Sequence, residues 1–437
     1  MSEKALQDTI NIFIKQAGTS PAQKSAEWHA IRATTIGGSE VATVLGLNPF
    51  SSCKNLIADK SGINKNTFSG NLATRWGNMF EPLTREWAQR VLLMTNEIQE
   101  TGSVEGVIPR QRYSPDGVGV VQLLDEDNKP DHYIILFEFK APFKSIPDGK
   151  IPKHYVPQIQ TGLLSIPICD LGIFVNNCYR KCALKNIGFT LDYDTSFHSG
   201  DLTKRLTKKQ KITEVLACGV IGFYQTKEHY EKSLVELGYG SDNENEDNDK
   251  DDVDIDPYLE SDNPALDVQV SEYDINILIN SNETPMDFGT AKEKTLNRLF
   301  ELCEEKRITA IHYPMILNQA AVNALEFIAD HTKEKPVEEI NVKKIIKLHI
   351  NQFIAHCDSA EHHVIGYLPW KLVKSNILTE RRDENWKQVI EESIVSTLTI
   401  IDAIKSSADP QKTYEAYYPS IPVEVEDHTT EADMFTD

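Results

Sequence analysis

Long apolar runs are missing from this 437-residue chain: nothing approaches the ~20 residues that a membrane-spanning helix needs. The N-terminus lacks the basic-then-apolar pattern of a secretory signal. Cysteine is sparse, seven in all, and Cys178 and Cys182 have no second cysteine or histidine pair nearby at zinc spacing. These absences argue against a disulfide framework, a structural zinc and a membrane partner. The expected compartment is cytosolic or nuclear. Positive charge is also short, with 45 Lys and Arg against 66 Asp and Glu, a net charge of −21.

That deficit is unevenly spread. Asp242–Glu260 holds ten acids and one lysine, and residues 421–437 hold six acids and no Lys or Arg. Both read as disordered, the first over 241–257 and the second as an acidic tail. Without them the chain carries only −6, a balance that permits a basic groove for nucleic acid. The remaining composition is that of a globular protein, 40% apolar and 25% charged, long enough for two or three domains or one with a large insertion.

What the chain does contain is a strand that ends in charge. Tyr113–Pro142 reads YSPDGVGVVQLLDEDNKPDHYIILFEFKAP, with turns at Ser114–Gly117 and at Asp125–Pro130. Alternation on a strand puts Glu138 and Lys140 on one face and Phe137 and Phe139 on the other. A carboxylate and an ammonium at the end of an apolar strand are costly to bury without partners. Asp116, set by the first turn, can bring a second carboxylate across the hairpin. Two carboxylates suit a hard cation such as Mg²⁺, and a neighbouring lysine can orient water or offset charge on a phosphate. Taken alone, the same residues make an ordinary surface Glu–Lys pair.

Other segments add to this. Leu6, Ile10, Phe13 and Ile14 mark a first helix. In SAEWHAIRATTIGGSEVATVLGLNPF, Ser25 caps a helix carrying Trp28 and Ile31, Gly37-Gly38 breaks it, and Ser39 caps the next. Arg32 then lies near a helix start that favours an anion, or is a solvated arginine beside a plain cap. NLATRWGNMFEPLTREWAQRV is an amphipathic helix whose Glu81 adjoins the apolar face. HYVPQIQTGLL is a helix begun by Pro157, with Gln158 in its first turn, followed by the buried strand LGIFVNN. Lys204–Lys211, KRLTKKQK, is a phosphate contact, a nuclear-localisation signal or solvated surface. Helices are expected over Thr295–Glu305, Pro336–Ile354 and Asn385–Ile404, and a strand at His363–Val373. The part of that strand around Tyr367–Val373 is expected to join the sheet that contains Glu138, with the Asn385–Ile404 helix packed on it.

Six blocks in this order, AEWHAIR, IGGSEVATVLGLNPF, RWGNMFEP, YSPDGV, FEFKAP and HYVPQIQ, resemble the λ exonuclease/YqaJ-like viral recombinase branch of the PD-(D/E)xK nucleases. The resemblance spans about 25–180 and resumes faintly at NILTERRDENWKQVIEESIVSTLTIIDAI. It implies an α/β fold with a restriction-endonuclease-like core, a mixed sheet flanked by helices, and a large, mainly helical insertion. The nuclease core would be discontinuous, 1–190 and 362–420, with 191–361 inserted. Carried onto this chain, Asp116, Glu138 and the Phe139 backbone carbonyl become metal ligands for Mg²⁺, or Mn²⁺ in its place. Lys140 becomes the catalytic lysine, Glu81 an assisting acid and Gln158 the supporting glutamine. Arg32 and Ser39 become the holders of a 5′ phosphate.

The implied activity is 5′→3′ exonucleolytic digestion of duplex DNA with free ends in an infected cell, in recombination, repair or replication. A single-strand annealing protein is the implied partner, and self-association into a homo-oligomer is open. The long acidic segments and the insertion fit a virus of eukaryotes. FEFKAP has Ala141 where the family commonly has cysteine, a change expected to leave the chemistry untouched. Two other readings stand beside this one: a structure-specific or endonucleolytic enzyme on the same core, and a non-catalytic DNA-binding scaffold. The intact Asp116, Glu138 and Lys140 set argues against the scaffold.

Overall fold

The computed structural model describes residues 2–17, 25–64, 70–124, 129–169, 171–181, 217–230, 269–270, 291–315 and 342–419. The basic run 204–211, the acidic stretch 241–257, the tail 421–437 and residues 125–128 of the second turn lie outside them. The helices are α1 (Glu3–Ala17), α2 (Ala26–Arg32), α3 (Gly38–Val44), α4 (Cys53–Ser61), α5 (Leu72–Val91), α6 (Val156–Ser165), α7 (Ala291–Glu304), α8 (Val342–Ser359), α9 (Asn385–Ser406) and α10 (Pro410–Tyr417). The strands are β1 (Ile36–Gly37), β2 (Val104–Glu105), β3 (Gln111–Tyr113), β4 (Gly117–Leu124), β5 (Pro130–Lys140), β6 (Leu171–Lys181), β7 (Ala217–Thr226), β8 (Gln269–Val270), β9 (Thr309–Met315) and β10 (His362–Arg381).

The main sheet has seven strands, ordered β4-β5-β6-β10-β7-β9 with β8 pairing β10. Hairpin β4–β5 is antiparallel, with Gly117 opposite Phe137, and β5 runs parallel to β6, with Lys140 opposite Asn176. A parallel pair needs a crossover, and α6 supplies it. The strand carrying Glu138 is therefore covered on both sides, which suits its run of buried residues from Ile134 to Phe139. This is the expected α/β class, a mixed sheet with helices packed on it.

The last part of the chain closes the sheet. Strand β10 pairs β6 through its second half, Trp370–Arg381, and β7 through its first half, His362–Leu372. The strand expected around Tyr367–Val373 thus joins the sheet that contains Glu138. Helix α9, expected to pack on that strand, instead sets Ile390, Ile394, Leu398, Ile401 and Ile404 against Val41, Ile57 and Leu164 of α3, α4 and α6. Its apolar stripe meets the helical layer rather than the sheet. Each such buried aliphatic side chain is worth roughly 1.5–3 kcal/mol over exposure.

The described parts of 191–361 hold α7 and α8 and also lend strands to the main sheet. Strands β7 and β9 pair with each other and continue the sheet beyond β10, beside α7 and α8. The first half of β10 would otherwise be an unpaired edge deep in the protein. Helix α7 is bolted to α5 by Arg75, only 3% exposed, which bonds Glu301 at 2.8 Å, Glu304 at 3.1 Å and Asn297 at 2.9 Å.

A fragment ending at residue 238 lacks β10 and α9, leaving β6 and the α3–α4–α6 layer uncovered. We expect it to aggregate or to melt without a cooperative transition, as read by light scattering and circular dichroism. A soluble, cooperatively melting fragment would contradict the shared-sheet architecture.

Candidate active site

The site lies where β5 ends, at the first turn of α6. Glu138 is 1% exposed, and both its oxygens are engaged. Oε2 accepts the Tyr113 hydroxyl at 3.0 Å; Oε1 accepts Gln158 Nε2 at 2.5 Å and the Lys140 ammonium. Asp116 stands at the turn before β4, where its Oδ2 accepts the Phe139 N–H at 2.7 Å and lies 4.0 Å from Lys140 Nζ. The hairpin thus delivers two carboxylates to one lysine, with Phe137 and Phe139 stacked on the opposite face, 5.6 Å apart.

Tyr113 reaches Glu138 because two glycines make room for it. A Cβ on Gly38 of α3 would come within 2.3 Å of the Tyr113 ring, and one on Gly162 of α6 within 2.5 Å. The Gly37-Gly38 pair therefore serves close packing as well as the helix break. Ser39 is not the cap of α3, contrary to the expectation above. The helix begins at Gly38, and Glu40 returns its carboxylate to the Gly37 N–H at 2.8 Å. The Ser39 hydroxyl instead accepts a hydrogen bond from Arg32 Nη2 at 3.2 Å.

Arg32 is half-exposed, lies over the Trp28 ring at 4.9 Å and pairs with Glu40 at 3.4 Å. Lys60 joins the group, 3.0 Å from Glu40 and bonded to the Arg32 and Thr35 carbonyls. A cleft of about 230 Å³ links this corner to the carboxylates; its lining includes Arg32, Ser39, Glu81, Asp116, Gln158 and Arg112. The candidate residues therefore come together: Arg32 and Ser39 at one end, Glu81, Asp116 and Gln158 at the other, Glu138 and Lys140 behind. Trp28 Nε1, 3.4 Å from Ser114 Oγ, ties α2 to the turn that carries Asp116.

Two contributors escaped the sequence reading. Arg85 donates to the Asp116 carbonyl at 2.9 Å and to Glu100 at 2.5 Å, fixing the turn from behind. It sits four residues after Glu81 on one helix face, a spacing that offered a signal. Tyr113 offered none, since a tyrosine on a short strand is ordinarily core.

Charge at the site follows from burial. Desolvation and then the Asp116 charge push the Glu138 carboxyl up to about 7, against the pull of Lys140. Burial alone would lower the Lys140 ammonium, but Glu138 and Asp116 outweigh it and hold it above its ordinary value. Burial, Glu138 and Asp116 raise the Tyr113 phenol well above its usual range, so it stays a donor. Among the described residues no three His, Cys, Asp or Glu side chains form a metal cluster. The two carboxylates, Asp116 and Glu138, are hard oxygen donors of the type that suits a cation that keeps several waters.

A core of this topology, with D…ExK on its hairpin, resembles that of the PD-(D/E)xK nucleases. Residues 27–165 match the YqaJ-like viral recombinase domain, in line with the six motif blocks. A protein of African swine fever virus, Badajoz strain, is 25% identical over 423 residues, 93% of each chain. Its counterpart in a Malawi tick isolate of that virus is 29% identical over 323 residues, 70% of this chain and 75% of that one. A solved alkaline exonuclease, LHK-Exo from Laribacter hongkongensis, is 23% identical with a TM-score of 0.27. It covers 35% of this chain and 74% of that chain, a similarity too distant to bear on the chemistry. No helix among the described residues is long and apolar enough to cross a membrane.

A carboxyl raised from 4.5 to about 7 contributes stability that is complete below 4.5 and lost as pH rises through 7. Metal-free protein should therefore lose more melting temperature between pH 5 and pH 8 than its Glu138→Gln variant does. Equal losses in the two proteins would contradict the assignment of a strained, buried carboxylate.

Proposed function

We propose that this protein is a metal-dependent deoxyribonuclease that hydrolyses phosphodiester bonds from the ends of duplex DNA, in the 5′→3′ direction. The observation that carries the reading is the trio Asp116, Glu138 and Lys140, whose Asp116 lines a cleft shared with Arg32 and Ser39. The residues fit a divalent cation, because the buried Glu138 has a single countercharge and a carboxyl raised to about 7. Asp116, Glu138 and the Phe139 carbonyl would hold Mg²⁺, with Mn²⁺ able to substitute. Bound there, the ion supplies Lewis-acid activation of water and neutralises charge on the phosphate.

The rest falls to the chain itself. Arg32 and Ser39 take a 5′ terminal phosphate by charge-assisted hydrogen bonds, which sets the scissile bond one step inside the end. The Lys140 ammonium faces the phosphate oxygens as negative charge builds on them. Gln158 and Tyr113, donating to the two oxygens of Glu138, hold that carboxylate in one orientation. Glu81, lining the cleft with Asp116, accepts a hydrogen bond from the attacking water. The strand left behind is the substrate of a single-strand annealing partner, in viral DNA recombination, repair or replication within the infected cell's cytoplasm or nucleus. Self-association into a homo-oligomer belongs to the same proposal.

One observation favours a second, endonucleolytic reading. Glu40 already pairs with Arg32 at 3.4 Å, so an incoming phosphate must compete with a resident carboxylate. An endonuclease has no need of that pocket.

Two measurements test the proposal. Asp116→Ala or Glu138→Ala should abolish Mg²⁺-dependent digestion of linear duplex, and Lys140→Ala should slow it by roughly 10²–10³, with melting temperature checked in each. Full activity in any of the three would refute the roles. Removing one charge-assisted contact, worth about 1.5–3 kcal/mol, Arg32→Ala should erase a roughly 10- to 100-fold preference for 5′-phosphorylated over 5′-hydroxyl ends. An unchanged preference would favour the endonuclease.

A further inference from the structure

The loop between α3 and α4 holds an aromatic ring out in water. Phe50 is 83% exposed, yet its backbone is pinned. Gly46, at φ 70°, turns the chain out of α3; the Leu47 N–H bonds the Ala42 carbonyl at 2.8 Å. Asn48 accepts the Phe50 N–H at 2.9 Å and donates to Thr43 Oγ1 at 2.7 Å. A single exposed apolar side chain is ordinary; what distinguishes Phe50 is its fixed backbone and the rings that continue inward from it.

Phe50 is also the outer rung of a series. Its ring meets that of His154 edge-on at 5.8 Å, His154 meets Tyr155 at 4.2 Å, and Tyr155 rests on Phe174 of β6 at 5.3 Å. The series ends at the chemistry, since Lys140 Nζ lies 5.2 Å from the centre of the Tyr155 ring. Burial and Lys140 lower the His154 imidazole below its ordinary value, which keeps that rung neutral at neutral pH. Phe50, His154, Tyr155 and Lys140 are all outside the cleft lining that includes Arg32, Ser39, Asp116 and Gln158. The rings therefore reach the carboxylate pair from the Lys140 side, and the cleft reaches it from the Asp116 side.

A phosphodiester has a nucleotide on each side, and the cleft accounts for one of them. We propose that Phe50, His154 and Tyr155 form a stacking track for unpaired nucleobases of the substrate strand, on the far side of the scissile phosphate from the Arg32–Ser39 pocket. The proposal rests on the nuclease reading above. Flat aromatic faces accept any base, so the track is indifferent to sequence and selective for single-stranded over paired DNA.

The test uses the full chain, with EDTA present, and a short single-stranded oligonucleotide containing 2-aminopurine. Wild type should quench the fluorescence on binding. Phe50→Ala should lose the quench and bind roughly tenfold more weakly, while Phe50→Tyr restores both. An oligonucleotide with abasic sites should bind all three proteins alike. In digestion with Mg²⁺, Phe50→Ala should raise KM and leave kcat in place. Phe50 is exposed, so its loss does not threaten the fold. Unaltered quenching and affinity in Phe50→Ala would overturn the track even if digestion of linear duplex is found. Quenching that depends on Phe50, in a protein that digests nothing, would uphold the track and remove only the nuclease reading.

Discussion

One carboxylate, Glu138, is buried with a lysine as its direct countercharge, and much of the structure is arranged around that fact. Taking a carboxylate out of water costs several kcal/mol unless every lone pair finds a donor and the charge a partner. Tyr113, Gln158 and Lys140 meet the first demand, each from a different element. The second is met only in part, as the carboxyl raised to about 7 records. Asp116, the neighbour that worsens the repulsion, is held beside it by the Phe139 N–H and, through its carbonyl, by Arg85. The fold maintains a deficit of positive charge at one point, which is where the proposed divalent cation would sit.

That constraint accounts for the company the site keeps. Tyr113 must pass between α3 and α6, so both helices carry glycine at the crossing. Helix α5 must present Glu81 and Arg85 on one side and Trp76, Phe80, Leu83 and Trp87 on the other. It is steadied from outside by Arg75 and the acids of α7. Strand β10 lies next to β6 and lets the polypeptide after the insertion complete the sheet on which the hairpin depends.

Much of the fold and most of the candidate site were legible in the sequence, for identifiable reasons. The hairpin, α5, α6, β6 and α9 each carry a strong period or an uninterrupted apolar run, and the acid–lysine alternation on β5 is a two-residue pattern readable by eye. The helix start at Gly38 was misplaced because Gly37 takes the N-cap position, with its N–H bonded by Glu40 three residues on. Strand β7 was missed because Gly219 and Gly222 look like breaks in ACGVIGFYQT. They are close contacts instead: a Cβ there would meet the Trp370 ring at 2.7 Å and the Phe353 ring at 2.6 Å. Such glycines are set by partners more than a hundred residues away, which no local pattern contains. The Phe50–His154–Tyr155 series joins two distant loops and is invisible for the same reason.

The central claim is that this constellation hydrolyses DNA from an end with a divalent cation. The most direct measurement follows wild-type protein acting on linear 5′-phosphorylated duplex and on a covalently closed circle of the same sequence, with Mg²⁺ and with EDTA. The account predicts steady release of acid-soluble nucleotides from the linear DNA in Mg²⁺, none in EDTA, and an intact circle throughout. Nicking of the circle at the rate of linear digestion, or linear DNA left whole in Mg²⁺, would contradict it.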